Sequence, residues 1–300
     1  MVDAIPPLDR DSLAERAHIR PRGIWPTLRN KVTFWVALVL LAVMLVLAVA
    51  PEWVGGWFGN GDPRLCDLSE SLGGATEGHS FGFDVQGCDL YTNVIHGARN
   101  SLLVGFITTA LALLVAVVVG TLAGIHGGWI DSVLSRLTDV FLGFPFIIGA
   151  IILLIGLGER SVLTVSLVLA IFSWPTMARL VRSSVRSVRA AEFVQASIAM
   201  GIGTWRTTVR HVLPNALGPV LAIVALSVGG IIVAEAGLTF LGVGLEAPAI
   251  SWGRQIAQGQ ALIANAPHVV LWPSLFLAVT ALSLISLGDS LRDALDPRQR

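Results

Sequence analysis

Between two long apolar runs, the chain carries the half-apolar stretch Ala191-Glu-Phe-Val-Gln-Ala-Ser-Ile-Ala-Met-Gly-Ile-Gly-Thr-Trp-Arg-Thr-Thr-Val-Arg-His-Val-Leu-Pro214. This stretch is too polar to cross a membrane and too regular to be a plain linker, because apolar residues recur in it at helical spacing. On a helical wheel Phe193 and Met200 share one face, while Glu192 and Gln195 fall away from it. The pattern predicts a short amphipathic helix, about half as long as a membrane span.

Glycine and proline bound this short helix. Gly201 and Gly203 follow Met200, and glycine readily adopts the left-handed backbone that ends helices. Thr204 is then the expected N-cap of a second helix that runs toward Pro214. The stretch is therefore expected to lie under the bilayer as helix, turn and helix. The pattern alone allows it to rest on lipid, on the protein's own spans or on a partner.

The surrounding sequence is that of a membrane protein. Of its 300 residues, 54% are hydrophobic and 13% are charged, whereas soluble domains carry about 25% charged residues. Six apolar runs have the length, about 20 residues, that a helix needs to cross the hydrocarbon. They cover residues 32–50, 100–130, 140–158, 161–178, 212–234 and 269–288. Because the runs lack the alternation of barrel strands, the predicted fold is an all-α polytopic membrane protein with six transmembrane helices.

Basic residues indicate the orientation of these spans. The segments on the N-terminal side of the membrane hold 16 of the 20 Lys and Arg residues. Such an excess marks the cytoplasmic face, so both termini and the opening stretch are expected in the cytoplasm. The predicted organisation is a cytoplasmic N-terminal arm (1–31), a first transmembrane helix kept as an anchor (32–50), an extracytoplasmic loop (51–98), a transmembrane core with its loop at 188–214 (99–290) and a cytoplasmic tail (291–300).

The predicted external loop holds both cysteines of the chain, Cys66 and Cys88. An oxidising exterior favours a disulfide between them, which closes a loop of about twenty residues and stabilises it by roughly 3 kcal/mol. Two free thiols are the alternative. The aromatic residues Trp53, Trp57 and Phe58 directly follow the first span, and they are expected to form an interfacial belt.

Motifs of a self-contained enzyme are absent from the sequence. The single lysine, Lys31, precedes a valine, which excludes a phosphate-binding G-x-x-x-x-G-K-[ST] loop. There is no H-E-x-x-H metal motif and no G-x-S-x-G nucleophile elbow, and the six histidines lack ligand spacing. We therefore predict no metal site and no catalytic residue. If the protein uses ATP, another chain must bind it.

Few ionisable residues lie within the predicted spans. Glu235 falls beyond the middle of the fifth, where a carboxylate costs about 2.5–3.5 kcal/mol, so it is expected to face a cavity, another helix or a partner. A role in lining a pathway and a role in bonding between helices are both open. Pro145 is expected to kink the third span. The pair Gly120 and Gly124 is a weak signal of close helix contact.

A row of arginines extends the fourth span beyond the membrane. Its members fall within one arc of the helix, and they are Arg179, Arg182, Arg186 and Arg189. We expect them to reach lipid phosphates. Contact with an acidic surface of a partner ATPase is the alternative.

One known signature matches the opening stretch. The residues Gln195-Ala-Ser-x3-Gly201-x9-His211-Val-Leu-Pro214 resemble the E-A-A-x3-G-x9-I-x-L-P signature of permease subunits in bacterial ABC importers, with the full spacing and with Gln, Ser and His as departures. More specifically, the chain resembles the C-type permease of dipeptide, oligopeptide and nickel importers. The supporting segments are Gly97-Ala-Arg-Asn-Ser-Leu, Ala234-Glu-Ala-Gly-Leu-Thr-Phe-Leu-Gly-Val-Gly, Ser251-Trp-Gly and Leu287-Gly-Asp-Ser-Leu-Arg-Asp-Ala-Leu-Asp-Pro-Arg.

The resemblance covers nearly the whole chain and is weakest in residues 1–30 and 51–80. One departure falls in the external loop. Where the family usually has G-T-D-x-x-G-R-D, this chain reads Gly82-Phe-Asp-Val-Gln-Gly-Cys-Asp89. Cysteine thus replaces the arginine, which makes the disulfide more attractive and alters the local role of that loop.

The resemblance implies a type I ABC importer permease fold, with a cytoplasmic coupling helix between the fourth and fifth spans. The resemblance also implies that this helix seats in a groove of a cytoplasmic ATPase. The implied coupling residues are Glu192, Gln195, Ala196, Ser197, Gly201, Gly203, Leu213 and Pro214. The implied partners are a second, B-type permease subunit, two ATP-binding subunits, an extracytoplasmic substrate-binding protein and membrane lipid, with no nucleic acid. No cofactor is expected in this chain, because ATP and Mg would bind the partner subunits.

The leading hypothesis is therefore one half of a heterodimeric permease in the bacterial inner membrane, a transport subunit rather than an enzyme, with di- or oligopeptides as its cargo. Nickel or another small solute is the alternative within the family. A proton-coupled secondary transporter that uses Glu235 is a second class, although it needs internal repeats and a relay of membrane acids. A non-transporting membrane scaffold is a third, for which the opening stretch would be superfluous.

Overall fold

The computed structural model describes residues 24–295. Most of the predicted N-terminal arm and the last residues of the predicted tail lie outside the described residues. Among the described residues, regular structure is helical, apart from isolated β-bridges in the loop before Leu90. The helices are α1 (Ile24–Arg29), α2 (Val32–Val49), α3 (Pro51–Phe58), α4 (Leu90–His126), α5 (Gly128–Gly143), α6 (Phe146–Leu157), α7 (Val162–Arg189), α8 (Glu192–Ala199), α9 (Thr204–Phe240), α10 (Trp252–Gly259) and α11 (His268–Leu295).

Five helices are long and apolar enough to cross a membrane, namely α2, α4, α7, α9 and α11. The bent pair α5 and α6 makes a sixth span when its two parts are taken together. The predicted all-α polytopic membrane fold is thereby confirmed. We call the end of the bundle that carries residues 188–214 the proximal end, and the other end the distal end.

Helix α4 begins at Leu90, inside the stretch that the sequence analysis assigned to the external loop. The reason is a helix cap, because the Asp89 carboxylate accepts a hydrogen bond of 3.0 Å from the amide of Thr92. The predicted loop 51–98 is also helical at Pro51–Phe58, where Pro51 occupies the first turn. The irregular part of this loop is therefore shorter than predicted.

The third span is broken rather than gently kinked. Helices α5 and α6 meet at an angle of 83°, and Pro145 directly precedes α6. Proline restricts the backbone of the residue before it and has no amide hydrogen, so a helix cannot run straight through this point. Helix α6 has 12 residues and is thus only about 18 Å long.

The helix-turn-helix predicted for the opening stretch is present as α8 and the start of α9. The predicted N-cap at Thr204 is wrong, because Thr204 is already helical and Gly203 precedes the helix without a side-chain cap. Residues Thr208–Val212 form a π-helical turn within α9, and the amide of Leu213 bonds to the carbonyl of Thr208. Pro214 explains this turn, since its ring clashes with the carbonyl four residues earlier and forces a wider ladder.

Helices α4 and α7 pack closely along the proximal half of the bundle. A Cβ atom on Gly120 would lie 2.7 Å from the carbonyl oxygen of Ala178, and one on Gly124 would lie 2.7 Å from Val185 Cγ1. Only glycine allows the two backbones to come this close. The structure thus confirms the close contact that the glycine pair suggested. Val194 of α8 joins the same buried apolar cluster as Val185, which fixes the short helix to this pair.

Candidate functional site

A left-handed turn ends α8 at the proximal end. Gly201 has φ +79°, a backbone conformation that disfavours every residue with a Cβ. The amide of Ile202 donates to the carbonyl of Ser197 at 3.2 Å, and the amide of Gly201 donates to the carbonyl of Ile198 at 2.9 Å. This pair of bonds is a Schellman motif, which satisfies the last carbonyl groups of a helix. The turn is therefore sharply defined.

Exposed apolar side chains surround this turn, on α8 and on the first turns of α9. Met200 is 73% exposed and Trp205 is 70% exposed, whereas Val194 on the inner side of α8 is 1% exposed. We call this surface the outward face, and its residues are Phe193, Ile198, Met200, Trp205 and Val209, all exposed. Exposed apolar residues gathered in one place mark a contact with a partner or with lipid.

The eight residues predicted for coupling fall on both sides of this structure. Exposed positions are Glu192, Gln195, Ala196, Gly201, Gly203 and Pro214. Leu213 is half-buried. Ser197 faces inward, where its hydroxyl donates to the carbonyl of Phe193 at 3.0 Å. The side-chain amide of Gln195 donates to the carbonyl of Arg189 at 2.9 Å, so it ties α8 to the end of α7. Gln195 therefore helps to hold α8 in place, whereas the bond of Ser197 lies within α8 itself.

The arginine row on α7 bonds to the protein itself. Arg182 forms a two-fold contact with the Asp131 carboxylate, at 2.5 and 2.7 Å. Arg186 approaches the same carboxylate at 3.6 Å, and Arg179 pairs with Asp139 at 2.5 Å. The sequence analysis did not foresee these ion pairs. Arg179 and Arg186 stay 56% and 57% exposed beside them, so their contact with lipid phosphates or with a partner stays a prediction.

The sequence analysis did not identify the acidic partners on α5. One signal was available, since Asp131 and Asp139 lie about two helical turns apart and so share a face of α5. The fourth arginine, Arg189, donates to the carbonyl of Ile125 at the end of α4. The row therefore joins α7 to both α4 and α5.

A cavity of about 470 Å³ opens between α5, α6, α7 and α9. Its wall combines aromatic rings with small and hydroxyl-bearing side chains, among them Phe141, Phe144, Phe146, Phe172, Ser173, Thr176, Ser227 and Gly230. Charged residues are absent from this wall. The cavity can therefore accept a neutral or internally compensated solute, and it lies beside the break between α5 and α6.

Glu235 lies away from this cavity and is fully buried between helices. Its carboxylate accepts a hydrogen bond of 2.8 Å from the hydroxyl of Thr239 and one of 3.4 Å from Ser251. The second carboxylate oxygen has no hydrogen-bond partner among the described residues. Of the two roles left open by the sequence, the contacts favour bonding between helices.

The distal end is covered by the loop that precedes α4. A disulfide joins Cys66 and Cys88. Beside it a polar pocket of about 300 Å³ is lined by residues that include Asp84 and Gln255. Burial raises the pKa of Asp84 above its usual value, and hydrogen bonds from the amides of Cys88 and Gln86 oppose that rise. This loop is therefore a folded cap rather than a flexible linker.

Comparison of this chain with known proteins identifies the family to which it belongs. The family model for the inner membrane component of binding-protein-dependent transport systems matches residues 116–300. The dipeptide transport system permease protein DppC of Alkalihalophilus pseudofirmus is 36% identical and covers 91% of this chain and 88% of its own length. The oligopeptide transport system permease protein OppC of Escherichia coli K12 is 34% identical, and the match covers 97% of this chain and 96% of OppC. OppC of Haemophilus influenzae is 30% identical, and the match covers 95% of this chain and 92% of that protein.

Solved structures agree on the fold. A chain of the methionine ABC transporter MetNI in an inward-facing conformation superposes with a TM-score of 0.57 at 19% identity, covering 68% of this chain and 97% of that one. A chain of an amino acid ABC transporter solved with histidines gives a TM-score of 0.53 at 16% identity. These proteins share the type I permease fold that the sequence predicted. The chain belongs to the family of inner membrane components of binding-protein-dependent transport systems.

Proposed function

We propose that this chain is one of two permease subunits of an ABC importer that brings peptides into the cell. The observation that carries the proposal is the outward face around Gly201, an apolar surface at the proximal end of the bundle. Relatives named as dipeptide and oligopeptide permeases, at 34–36% identity over more than 90% of this chain, support a peptide cargo. The chain forms half of the pathway, and separate subunits hydrolyse ATP.

The proximal end faces the cytoplasm in this proposal. The segments that the sequence assigns to this side of the spans carry 16 of the 20 basic residues, which is the excess expected of a cytoplasmic surface. Lys31, just before α2, and Asp293 in the last turns of α11 pair at this end. The disulfide-bonded loop then lies on the oxidising, extracytoplasmic side, where disulfides persist. An extracytoplasmic binding protein delivers its peptide to that face.

The outward face docks into a groove of an ATP-binding subunit. Apolar side chains on one face of a short helix can fill such a groove, as in other helix-in-groove contacts. The exposed Met200 and Trp205 supply the large side chains for it. ATP and Mg bind the two ATPase subunits, and closure of these subunits moves α8. Because α8 is fixed to α7 and α4, the spans move with it.

The cavity beside the broken span is half of the translocation pathway. It opens toward one side of the chain, and the second permease subunit supplies the opposite wall. Its mixture of aromatic and hydroxyl side chains suits a peptide backbone, whose polar groups need hydrogen bonds and whose side chains vary. Because the wall carries no charged side chain, it does not select cargo by charge.

Reconstitution tests this function directly. The chain is co-expressed with the proposed second permease and two ATPase subunits, purified, and placed in vesicles with the binding protein. We expect ATP-dependent uptake of labelled di- to pentapeptides, and no uptake when the binding protein is omitted. Uptake of nickel without peptide uptake would reassign the cargo. Uptake driven by a proton gradient without ATP would contradict the proposal.

A further inference from the structure

The unexpected ion pairs between α5 and α7 lie on the route from the outward face to the cavity. Helix α7 ends at Arg189, and α8 begins three residues later at Glu192. Arg182 and Arg186 occupy the last two turns of α7, directly before this junction. Their shared partner is Asp131 in the first turn of α5. A displacement of α8 therefore reaches the base of α5 through these side chains.

Burial alone does not hold α5 against the rest of the chain. Of the 16 residues of α5, all of them described, only Thr138 is buried. A helix with so little buried apolar surface gains little stability from packing. At the end of α5 near the cavity, Phe141 packs edge-on against Trp174 of α7, and at the proximal end the ion pairs supply the attachment to α7. The pair of Asp131 and Arg182 is the best placed of them, with side chains 13% and 31% exposed, whereas Arg179 and Asp139 are far more exposed.

The far end of α5 forms the cavity wall. Phe141 lies about 15 Å along the helix from Asp131, and Phe144 directly follows α5, before the break with α6. Because a helix moves as a rigid rod, a shift or tilt at Asp131 moves the rings at the other end. The 83° break at Pro145 lets α5 move without carrying α6 along as one straight span.

From these contacts we propose that Asp131 is a positioning residue that links the coupling motion of α7 to the cavity wall, through its ion pairs with Arg182 and Arg186. The proposal rests on the proposed function, because the motion comes from the ATPase subunits. Asp131 acts through α5 and does not touch the cargo. Loss of the link uncouples the wall from α7 without removing the contact between α8 and the ATPase.

The test uses the complete reconstituted transporter and measures peptide uptake per ATP hydrolysed. Asp131→Asn keeps the shape and a hydrogen-bond acceptor but removes the charge. We expect this variant to assemble and to keep ATP hydrolysis stimulated by the binding protein, with uptake per ATP lowered about fivefold, in line with residues that carry coupling between sites. Arg182→Lys keeps the charge but loses the two-fold contact, so an intermediate loss of uptake per ATP is expected. It also serves as the second variant if Asp131→Asn fails to assemble.

The matched control is Asp293→Asn. Asp293 forms an ion pair of 2.7 Å with Lys31, also at the proximal end, but it does not involve α5. Uptake per ATP should stay at the wild-type value in this control. An equal loss in Asp293→Asn and Asp131→Asn would overturn the proposal, because it would show a general effect of charge removal.

A distance measurement separates positioning from simple stabilisation. Both native cysteines are in a disulfide, so spin labels are attached through cysteines introduced at the exposed positions Val133 on α5 and Ser187 on α7. In the parent protein we expect a narrow distribution of distances between the two labels that stays constant as nucleotide is added. In Asp131→Asn we expect this distribution to broaden. An unchanged distance and an unchanged ratio of uptake to hydrolysis in Asp131→Asn would refute the link while leaving the proposed function intact. Absence of ATP-dependent uptake in the wild type would instead contradict the proposed function.

Discussion

The indole nitrogen of Trp252 donates a hydrogen bond of 2.9 Å to the carbonyl oxygen of Val94, which lies 158 positions earlier in the chain. The backbone amide of Trp252 also bonds to the hydroxyl of Ser101 at 3.2 Å. The neighbouring Ser251 reaches Glu235 on α9. One short turn therefore ties α4, α9 and α10 together at the distal end, and the buried carboxylate is part of that junction.

Replacing Glu235 distinguishes a structural acid from a proton carrier. Glu235→Gln keeps an oxygen that accepts from Thr239 and Ser251, so we expect stability close to wild type and retained ATP-dependent uptake. Glu235→Leu removes the acceptor and leaves two buried hydroxyl groups without it, which should cost about 1–3 kcal/mol. Thermal unfolding in detergent, followed by size-exclusion chromatography, measures the difference. Loss of uptake in a well-folded Glu235→Gln protein would point to proton transfer instead.

The close approach of α4 and α7 predicts a strong effect at Gly120. A Cβ atom there would lie 2.7 Å from the Cβ of Val181, so Gly120→Val forces the two helices apart. We expect little folded protein from this variant. Gly237→Val is the control, because an added Cβ at Gly237, on α9, has no heavy atom within 4 Å. Equal yields of monodisperse protein from the two variants would contradict this account of the helix contact.

The disulfide predicts a local effect on the distal loop. Cys66 and Cys88 close a loop with a sequence separation of 22, for which the expected stabilisation is roughly 3 kcal/mol. Reduction, or replacement of both residues by serine, should speed proteolysis between them and leave the spans intact. Peptide mapping without reduction should recover one cross-linked peptide. Recovery of both residues as alkylated thiols from freshly isolated membranes would count against the bond.

The orientation is tested with two introduced cysteines. Met200 at the proximal end and Glu77 in the distal loop are both exposed. An impermeant maleimide added to intact cells, with access through the outer envelope, should label Glu77→Cys and not Met200→Cys. Both sites should react after the membrane is opened. Labelling of Met200→Cys in sealed cells would reverse the proposed topology.

Local signals in the sequence predicted much of this molecule. Apolar runs located the spans, and the glycines after Met200 located the turn that ends α8, because each depends on residues close together in the chain. The glycine pair of α4 predicted a contact but not its partner. The match of the stretch around Gly201 to a permease signature predicted the family.

Features that depend on distant residues were not predictable in this way. The partners of the α7 arginines lie about 40 to 50 positions away on α5, and nothing in the local pattern of either helix specifies their pairing. Helix α4 starts earlier than predicted, because the Asp89 cap outweighs the polar character of the residues that follow it. Glu235 had two open roles until its neighbours, Thr239 and Ser251, were known.

In the proposed function, the turn at Gly201 presents α8 to an ATP-binding subunit. Gly158 provides a matched control, since it also ends a helix with a positive φ, +73° against +79°, and neither glycine has a heavy atom within 4 Å of an added Cβ. Aspartate at either position adds one charge and strain of order 1–3 kcal/mol. The two glycines lie at opposite ends of the bundle, because Gly201 ends α8 at the proximal end and Gly158 ends α6 at the distal end.

The decisive measurement is peptide-stimulated ATP hydrolysis by the reconstituted transporter that carries Gly201→Asp, beside Gly158→Asp and the wild type. We expect Gly201→Asp to insert and to pair with the second permease but to lose stimulated hydrolysis, while Gly158→Asp retains it. Wild-type hydrolysis and uptake in the Gly201→Asp transporter would show that the turn does not transmit motion between the ATPase and the spans.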